Sequence, residues 1–207
     1  QMEYTEIIRA GGWETLPGGI RSLHGARITV LGTGDIGTEF ARRAQAFHPA
    51  CITGVRRTVR SSDPAFTSIH AIAELDSVLP ETDLLVMALP STAETVGILS
   101  RERIALLPDS AFVVNVGRGT AIDQEALCDA LNAGQFAGAA LDVVVPEPLP
   151  ADHPLRRAKN LLLTPHVAGN MTLGYTCDKS VQMFCDDLEN YAAGRPLAHL
   201  VDRKRGY

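Results

Sequence analysis

Short runs of apolar residues recur along this chain, and each is bounded by glycine, proline or a charge. Residues 27–31 (RITVL), 51–55, 84–88, 112–116, 136–143 and 161–164 read as strands. The run LLVMAL is apolar at every position, as a strand covered on both faces requires. Between these runs the spacing changes from continuous to helical. Over 34–47, Ile36, Phe40, Ala44 and Phe47 fall on one face. Further helices are predicted at 72–79, 92–99, 101–107 and 123–133, the last with Asp123 as its N-cap and Gly134 just past its end. Residues 56–70 read as irregular. A long helix over 172–193 carries a stripe of Cys177, Val181, Phe184, Leu188 and Tyr191. That stripe is expected to pack on the body of the chain, or else to dock on another lobe or subunit. Strands alternating with helices predict an α/β fold with a doubly wound parallel sheet. On this reading 1–21 is a linker helix and loop, 22–171 is the sheet domain, and 172–207 is a C-terminal helix and tail.

The first strand runs into Gly32-Thr33-Gly34-Asp35-Ile36-Gly37, and the first long helix follows. A G-x-G-x-x-G turn in that context predicts a Rossmann-type dinucleotide site. Gly32 permits the tight turn, Gly34 lets a pyrophosphate approach, and Gly37 lets helix and strand pack closely. The helix N-terminus offers free N–H groups to the phosphates. Asp35 and Ile36 complete the turn, and Asp35 is expected to point outward because it would repel phosphate. An NAD site usually places an acid at the end of the second strand. Here that position reads Arg56-Arg57-Thr58, with Arg60 beyond and no carboxylate before Asp63. Guanidinium groups suit a 2′-phosphate, so NADP(H) is the expected cofactor, NAD(H) remaining possible. The plainer alternative is a solvated basic loop with no ligand preference.

Composition narrows the classes. The 207 residues carry a net charge of −5 with no dominant basic run, which argues against nucleic acid or an anionic membrane as partner. The longest apolar run, 84–89, is too short to span a bilayer. The 4 cysteines form no C-x-x-C pair and have no histidine at ligand spacing, so free thiols, no metal site and a cytoplasmic setting are expected.

Several stretches then occur in order: LGTGDIG, LPSTAET (89–95), NVGRG (115–119), ALDVVVPEPLP (140–150) and TPHVAG (164–169). Together they resemble the cofactor-binding domain of the D-isomer-specific 2-hydroxyacid dehydrogenase family, and the arginine-rich second strand end is similar to its glyoxylate/hydroxypyruvate reductase branch. The resemblance implies a catalytic set of Arg118 for the substrate carboxylate, His166 as proton donor and Glu147 as its partner. It implies Asp142 near the nicotinamide carboxamide, and cofactor contacts from Leu89, Pro90, Thr95, Val116, Gly117, His166, Ala168 and Gly169. The chemistry is coherent: reduction of a ketone leaves an oxygen that needs a proton, which a histidine near neutral pH can supply. The substrate implied is a small 2-oxo or 2-hydroxy acid. A homodimer through the cofactor domain is implied as well, in which Trp13 could take part. Family members also carry a substrate lobe of roughly a hundred residues, mostly ahead of the glycine turn. Here Gly32 comes early, so the chain is expected to be a piece of a longer enzyme. The competing expectation is a dinucleotide-binding regulatory module without turnover.

Overall fold

Parallel strands buried on both faces form the centre of the molecule. A computed structural model describes residues 2–15, 21–59, 62–169 and 173–201. Residues 16–20, Arg60, Ser61, 170–172 and the tail from 202 lie outside the described residues. The strands are β1 (Arg27–Leu31), β2 (Cys51–Arg56), β3 (Ser68–Ala71), β4 (Leu84–Met87), β5 (Phe112–Asn115), β6 (Gly138–Leu141) and β7 (Leu161–Leu163). All pair in parallel in the order β3-β2-β1-β4-β5-β6-β7. The order reverses between β1 and β4, which is the switch point where a Rossmann fold opens its crevice. The predicted doubly wound sheet is therefore present.

The helices are α1 (Met2–Arg9), α2 (Asp35–Ala44), α3 (Leu75–Val78), α4 (Arg101–Ile104), α5 (Gln124–Ala133) and α6 (Gly174–Ala192). Alternation along β1 divides the core between the two sheet faces. Ile28 and Val30 join Ala41, Ala44, Ile52 and Phe66 on one side. Leu31 joins Leu75, Leu85, Met87, Leu127 and Leu131 on the other. Between them Thr29 is buried, its hydroxyl 2.7 Å from that of Thr82. The caps of α5 are as expected: Asp123 accepts from the N–H of Ala126 at 2.9 Å, and Gly134 closes the helix with φ +68. Such an N-cap is worth about 1 kcal/mol.

Four expectations need correction. Residues 68–71 form β3; this edge strand is only half-buried and contains Ser68 and His70, so it shows no apolar run. Residues 92–99 form turns rather than a helix, because the Thr95 hydroxyl ties the loop to itself. On α2 the buried residues are Gly37, Ala41 and Ala44, while Ile36 is 60% exposed and Phe47, in the 3₁₀ turn that follows, is 56% exposed. Small residues face the sheet there because the helix starts hard against the glycine turn. Finally, the α6 stripe does not pack on the body. No residue of α6 is buried, and Phe184 is 68% exposed.

All four cysteines are free, and the described residues contain no cluster able to hold a metal. No described helix is long and apolar enough to cross a membrane.

Candidate active site

Parallel strands deliver their following loops to one edge of the sheet. Every residue singled out from the motifs lies there. Gly32 has φ +104, a left-handed conformation that a side chain would strain, and a Cβ on it would stand 2.6 Å from the Ala88 carbonyl oxygen. A Cβ on Gly37 would stand 1.9 Å from the Gly32 carbonyl oxygen, so the first turn of α2 can sit on the loop only as glycine. Around Gly34, by contrast, a Cβ would meet nothing within 4 Å. The turn therefore leaves open space at the N-terminus of α2, where no side chain caps the first N–H groups. That geometry fits the pyrophosphate of a dinucleotide. Asp35 and Ile36 are both exposed beside it.

At the end of β2, Arg56 is half-buried, while Arg57 and Thr58 are exposed. Arg57 is not simply solvated: its Nη1 lies 3.1 Å from Oε2 of Glu94. Glu94 belongs to the loop after β4, whose shape comes from Thr95. The Thr95 hydroxyl donates to the Pro90 carbonyl at 2.6 Å and accepts from the Thr92 N–H at 2.9 Å. Leu89 is buried and Pro90 half-buried in the same loop.

β5, β6 and β7 end level, with Asn115, Leu141 and Leu163 in register. Neighbouring strands lie about 4.8 Å apart, so the loops after β5 and β7 begin about 10 Å apart with Asp142 between them. After β5, Asn115 is buried and holds the turn: Oδ1 accepts from the Gly117 N–H at 3.0 Å, and Nδ2 donates to the Arg118 carbonyl at 2.9 Å. Val116 is half-buried and Arg118 is exposed, its Nη1 donating to the Gly117 carbonyl at 2.7 Å. The flanking glycines lie against neighbouring loops. A Cβ on Gly117 would be 2.7 Å from the Leu89 backbone, and one on Gly119 would be 2.4 Å from Val144.

The loops after β6 and β7 are joined by hydrogen bonds. Glu147 Oε2 lies 2.7 Å from His166 Nδ1, and Oε1 accepts from the Val144 N–H at 3.0 Å. The imidazole first, and then that N–H, hold the Glu147 carboxyl below the usual carboxylate range. An ionised carboxylate only accepts, so Nδ1 carries the hydrogen and Nε2 faces away from Glu147. His166 has φ +55, a left-handed conformation that costs a residue with a side chain about 1–2 kcal/mol. Its N–H donates to the Asp142 carbonyl at 2.8 Å, which pins that conformation.

The Asp142 carboxylate is taken up by its own surroundings: Oδ1 accepts from the Thr164 hydroxyl and the Val167 N–H, and Oδ2 from the Ala168 N–H. Ala168 and Gly169 are exposed beyond it. Asp142, Glu147, His166, Arg156 and the apolar Val144, Leu149 and Leu163 line a cleft of about 590 Å³. Asn115, Thr164 and Glu94 were not anticipated as site residues. The first two are ordinary polar residues at strand ends. Glu94 acquires its place only through a contact between loops.

A switch-point crevice with an open glycine turn, beside a buttressed histidine–carboxylate pair, defines a nicotinamide-dinucleotide domain carrying acid–base groups. Residues 1–168 match the family D-isomer specific 2-hydroxyacid dehydrogenase, NAD binding domain. The chain belongs to that family. It is 38% identical to glyoxylate/hydroxypyruvate reductase B of Pectobacterium carotovorum over 80% of its own length and 52% of that protein's. The chain thus spans about half of that relative. Among solved structures, a D-isomer specific 2-hydroxyacid dehydrogenase from Xanthobacter autotrophicus in complex with NADPH and MES superposes with TM-score 0.85 at 33% identity. The match covers 99% of this chain and 81% of that one. An NADPH-dependent glyoxylate/hydroxypyruvate reductase from Sinorhizobium meliloti, in complex with NADP and sulfate, superposes with TM-score 0.86 at 27% identity, covering 99% and 64%.

Proposed function

We propose that this chain is the cofactor-binding and catalytic half of an NADPH-dependent reductase of small 2-oxo acids, of the glyoxylate or hydroxypyruvate class. The observation that carries the proposal is the 2.7 Å His166–Glu147 pair, held on a left-handed His166 beside the loop of Arg118. Within the proposed enzyme, residues 22–171 form the cofactor domain, and 1–21 and 172–207 lead toward a second lobe. Free thiols support a cytoplasmic setting, and Trp13, 92% exposed, supports a homodimer through this domain.

The nicotinamide supplies the hydride when bound. Arg118 holds the substrate carboxylate in a bidentate pair, which fixes the 2-oxo group at the edge of the sheet. His166 Nε2 gives its proton to the ketone oxygen as negative charge develops there. Glu147 accepts from Nδ1, so it sets the orientation of the ring, with Nε2 facing away from Glu147. Asp142 holds residues 164–168, and the histidine therefore meets the substrate from a fixed backbone. Arg56 and Arg57 would hold the 2′-phosphate, and two solved relatives are in complex with NADPH or NADP.

The test is steady-state reduction of glyoxylate and hydroxypyruvate by the full-length protein. His166→Ala should lower kcat by about 10²–10⁴-fold. Arg118→Ala should raise KM for the acid at least about tenfold, the loss of about 1.4 kcal/mol. Unchanged turnover in both variants would leave a dinucleotide-binding module with no chemistry at this edge.

A further inference from the structure

We propose that the Arg57–Glu94 ion pair is a strap across the dinucleotide crevice, through which Glu94 sets the choice between NADPH and NADH. The inference rests on the cofactor reading above and extends it to a residue on a different loop.

The topology makes the pair a bridge. Arg57 directly follows β2, and Glu94 lies on the loop after β4. β2 and β4 are not neighbours: β1 lies between them and ends in the glycine turn. A 3.1 Å contact between Arg57 Nη1 and Glu94 Oε2 therefore spans the end of β1, about 10 Å of sheet edge at 4.8 Å per strand. A dinucleotide with its phosphates on the α2 N-terminus and its ribose at the end of β2 must share that space.

One end of the strap is fixed. Glu94 is presented by a turn locked through Thr95, whose buried hydroxyl bonds Pro90 and Thr92. Arg57 lies in the loop that follows β2. Both side chains are well exposed, so the pair is weak and exchanging its partner costs little. A 2′-phosphate brings more charge than a carboxylate and accepts from guanidinium in bidentate fashion, so it takes Arg57 from Glu94. The freed Glu94 carboxylate then stays close to the phosphate and opposes it. With NADH the ribose offers a neutral hydroxyl, which a carboxylate can accept from. Glu94 thus returns to the site, from another strand, the acid that β2 does not provide.

The test titrates NADPH and NADH into the full-length protein by nicotinamide fluorescence, using wild type, Glu94→Gln, Arg57→Ala and the double variant. Glu94→Gln should tighten NADPH about three- to tenfold and leave NADH equal or weaker, shifting the Kd ratio toward NADPH. In the Arg57→Ala background the same substitution should change NADPH affinity by less than about twofold, because the competition is for that guanidinium. Binding of neither nucleotide by the wild-type chain would remove the cofactor reading and the strap together. A wild-type preference for NADPH that Glu94→Gln leaves unchanged, or that it reverses, would overturn the strap alone. Thermal melts check the fold, and both side chains are exposed enough that each variant should melt with the wild type.

Discussion

Replacing Asp142 with asparagine keeps the shape of the side chain and removes its ability to accept on both ends. In the native structure one carboxylate satisfies three donors: the Thr164 hydroxyl, the Val167 N–H at 2.9 Å and the Ala168 N–H at 2.9 Å. The residue is 6% exposed, so water cannot replace a lost partner. Asparagine can turn its oxygen toward Thr164 and Val167, but its NH₂ then faces the Ala168 N–H, donor against donor. One charge-assisted bond is lost and one N–H is orphaned, which costs about 1.5–3 kcal/mol. In a chain of this size each kcal/mol moves Tm by about 2–4 °C, so Asp142→Asn should melt roughly 3–12 °C lower at neutral pH. The pH dependence gives a second, sharper check. Burial pushes the Asp142 carboxyl up, but the Thr164 hydroxyl and the Ala168 and Val167 N–H groups outweigh it and hold it below the usual aspartate range. With the native pKa depressed, the unfolded chain takes up this proton first as pH falls. The stabilisation is therefore complete above the ordinary value of about 3.9 and is lost as pH drops through the native value. Asparagine does not titrate. Melting curves by circular dichroism should show the full gap between wild type and variant at neutral pH, closing as pH falls below about 4. A gap under about 1 °C at neutral pH would refute this account, as would one that persists undiminished at the lowest pH where both proteins fold.

Three further outcomes follow from the packing. Gly37→Ala must displace the glycine turn, since its Cβ would stand 1.9 Å from a carbonyl oxygen, and should destabilise the fold by about 1–3 kcal/mol in urea titrations. Gly34→Ala meets open space, so its urea midpoint should match wild type while NADPH binding falls at least about tenfold; the reverse pattern would mean the open face is not the phosphate side. On α6, Phe184→Ser should leave the Tm within about 1 °C, because the ring is mostly exposed, and should reduce any self-association seen by sedimentation.

How much of this was legible in the sequence depended on where the information resides. The central strands could be read because a strand covered on both faces is apolar throughout, as Leu85, Val86 and Met87 are in β4. β3 could not, since an edge strand has less to bury and carries Ser68 and His70. The face of α2 was misread because large apolar residues usually mark the buried side. Here close approach to the glycine turn demands small ones, and Ile36 is left outside. The placement of single residues in the candidate site was readable: the glycines, Arg118, Glu147 and His166 each stand in a motif at a strand end. Pairings between loops were not. Glu94 is far from Arg57 in sequence, and the commitment of Asp142 to Thr164, Val167 and Ala168 depends on β6 and β7 ending in register.

The buried polar residues explain why the site edge can be rigid while its working groups stay exposed. Among the described residues these are Thr29, Thr82, Thr95, Asn115 and Asp142. Thr29 and Thr82 satisfy each other. The other three each secure one loop at the C-terminal edge: Thr95 after β4, Asn115 after β5, and Asp142 between β6 and β7. In each case one interior side chain bonds backbone groups that would otherwise need water or a longer turn. Glu94, Arg118 and His166 then project from loops whose backbones are already fixed. Substitutions at those exposed positions should change which nucleotide or acid is bound at little cost in stability. Substitutions at Thr95, Asn115 or Asp142 should cost stability first and alter binding only through the loop each one holds.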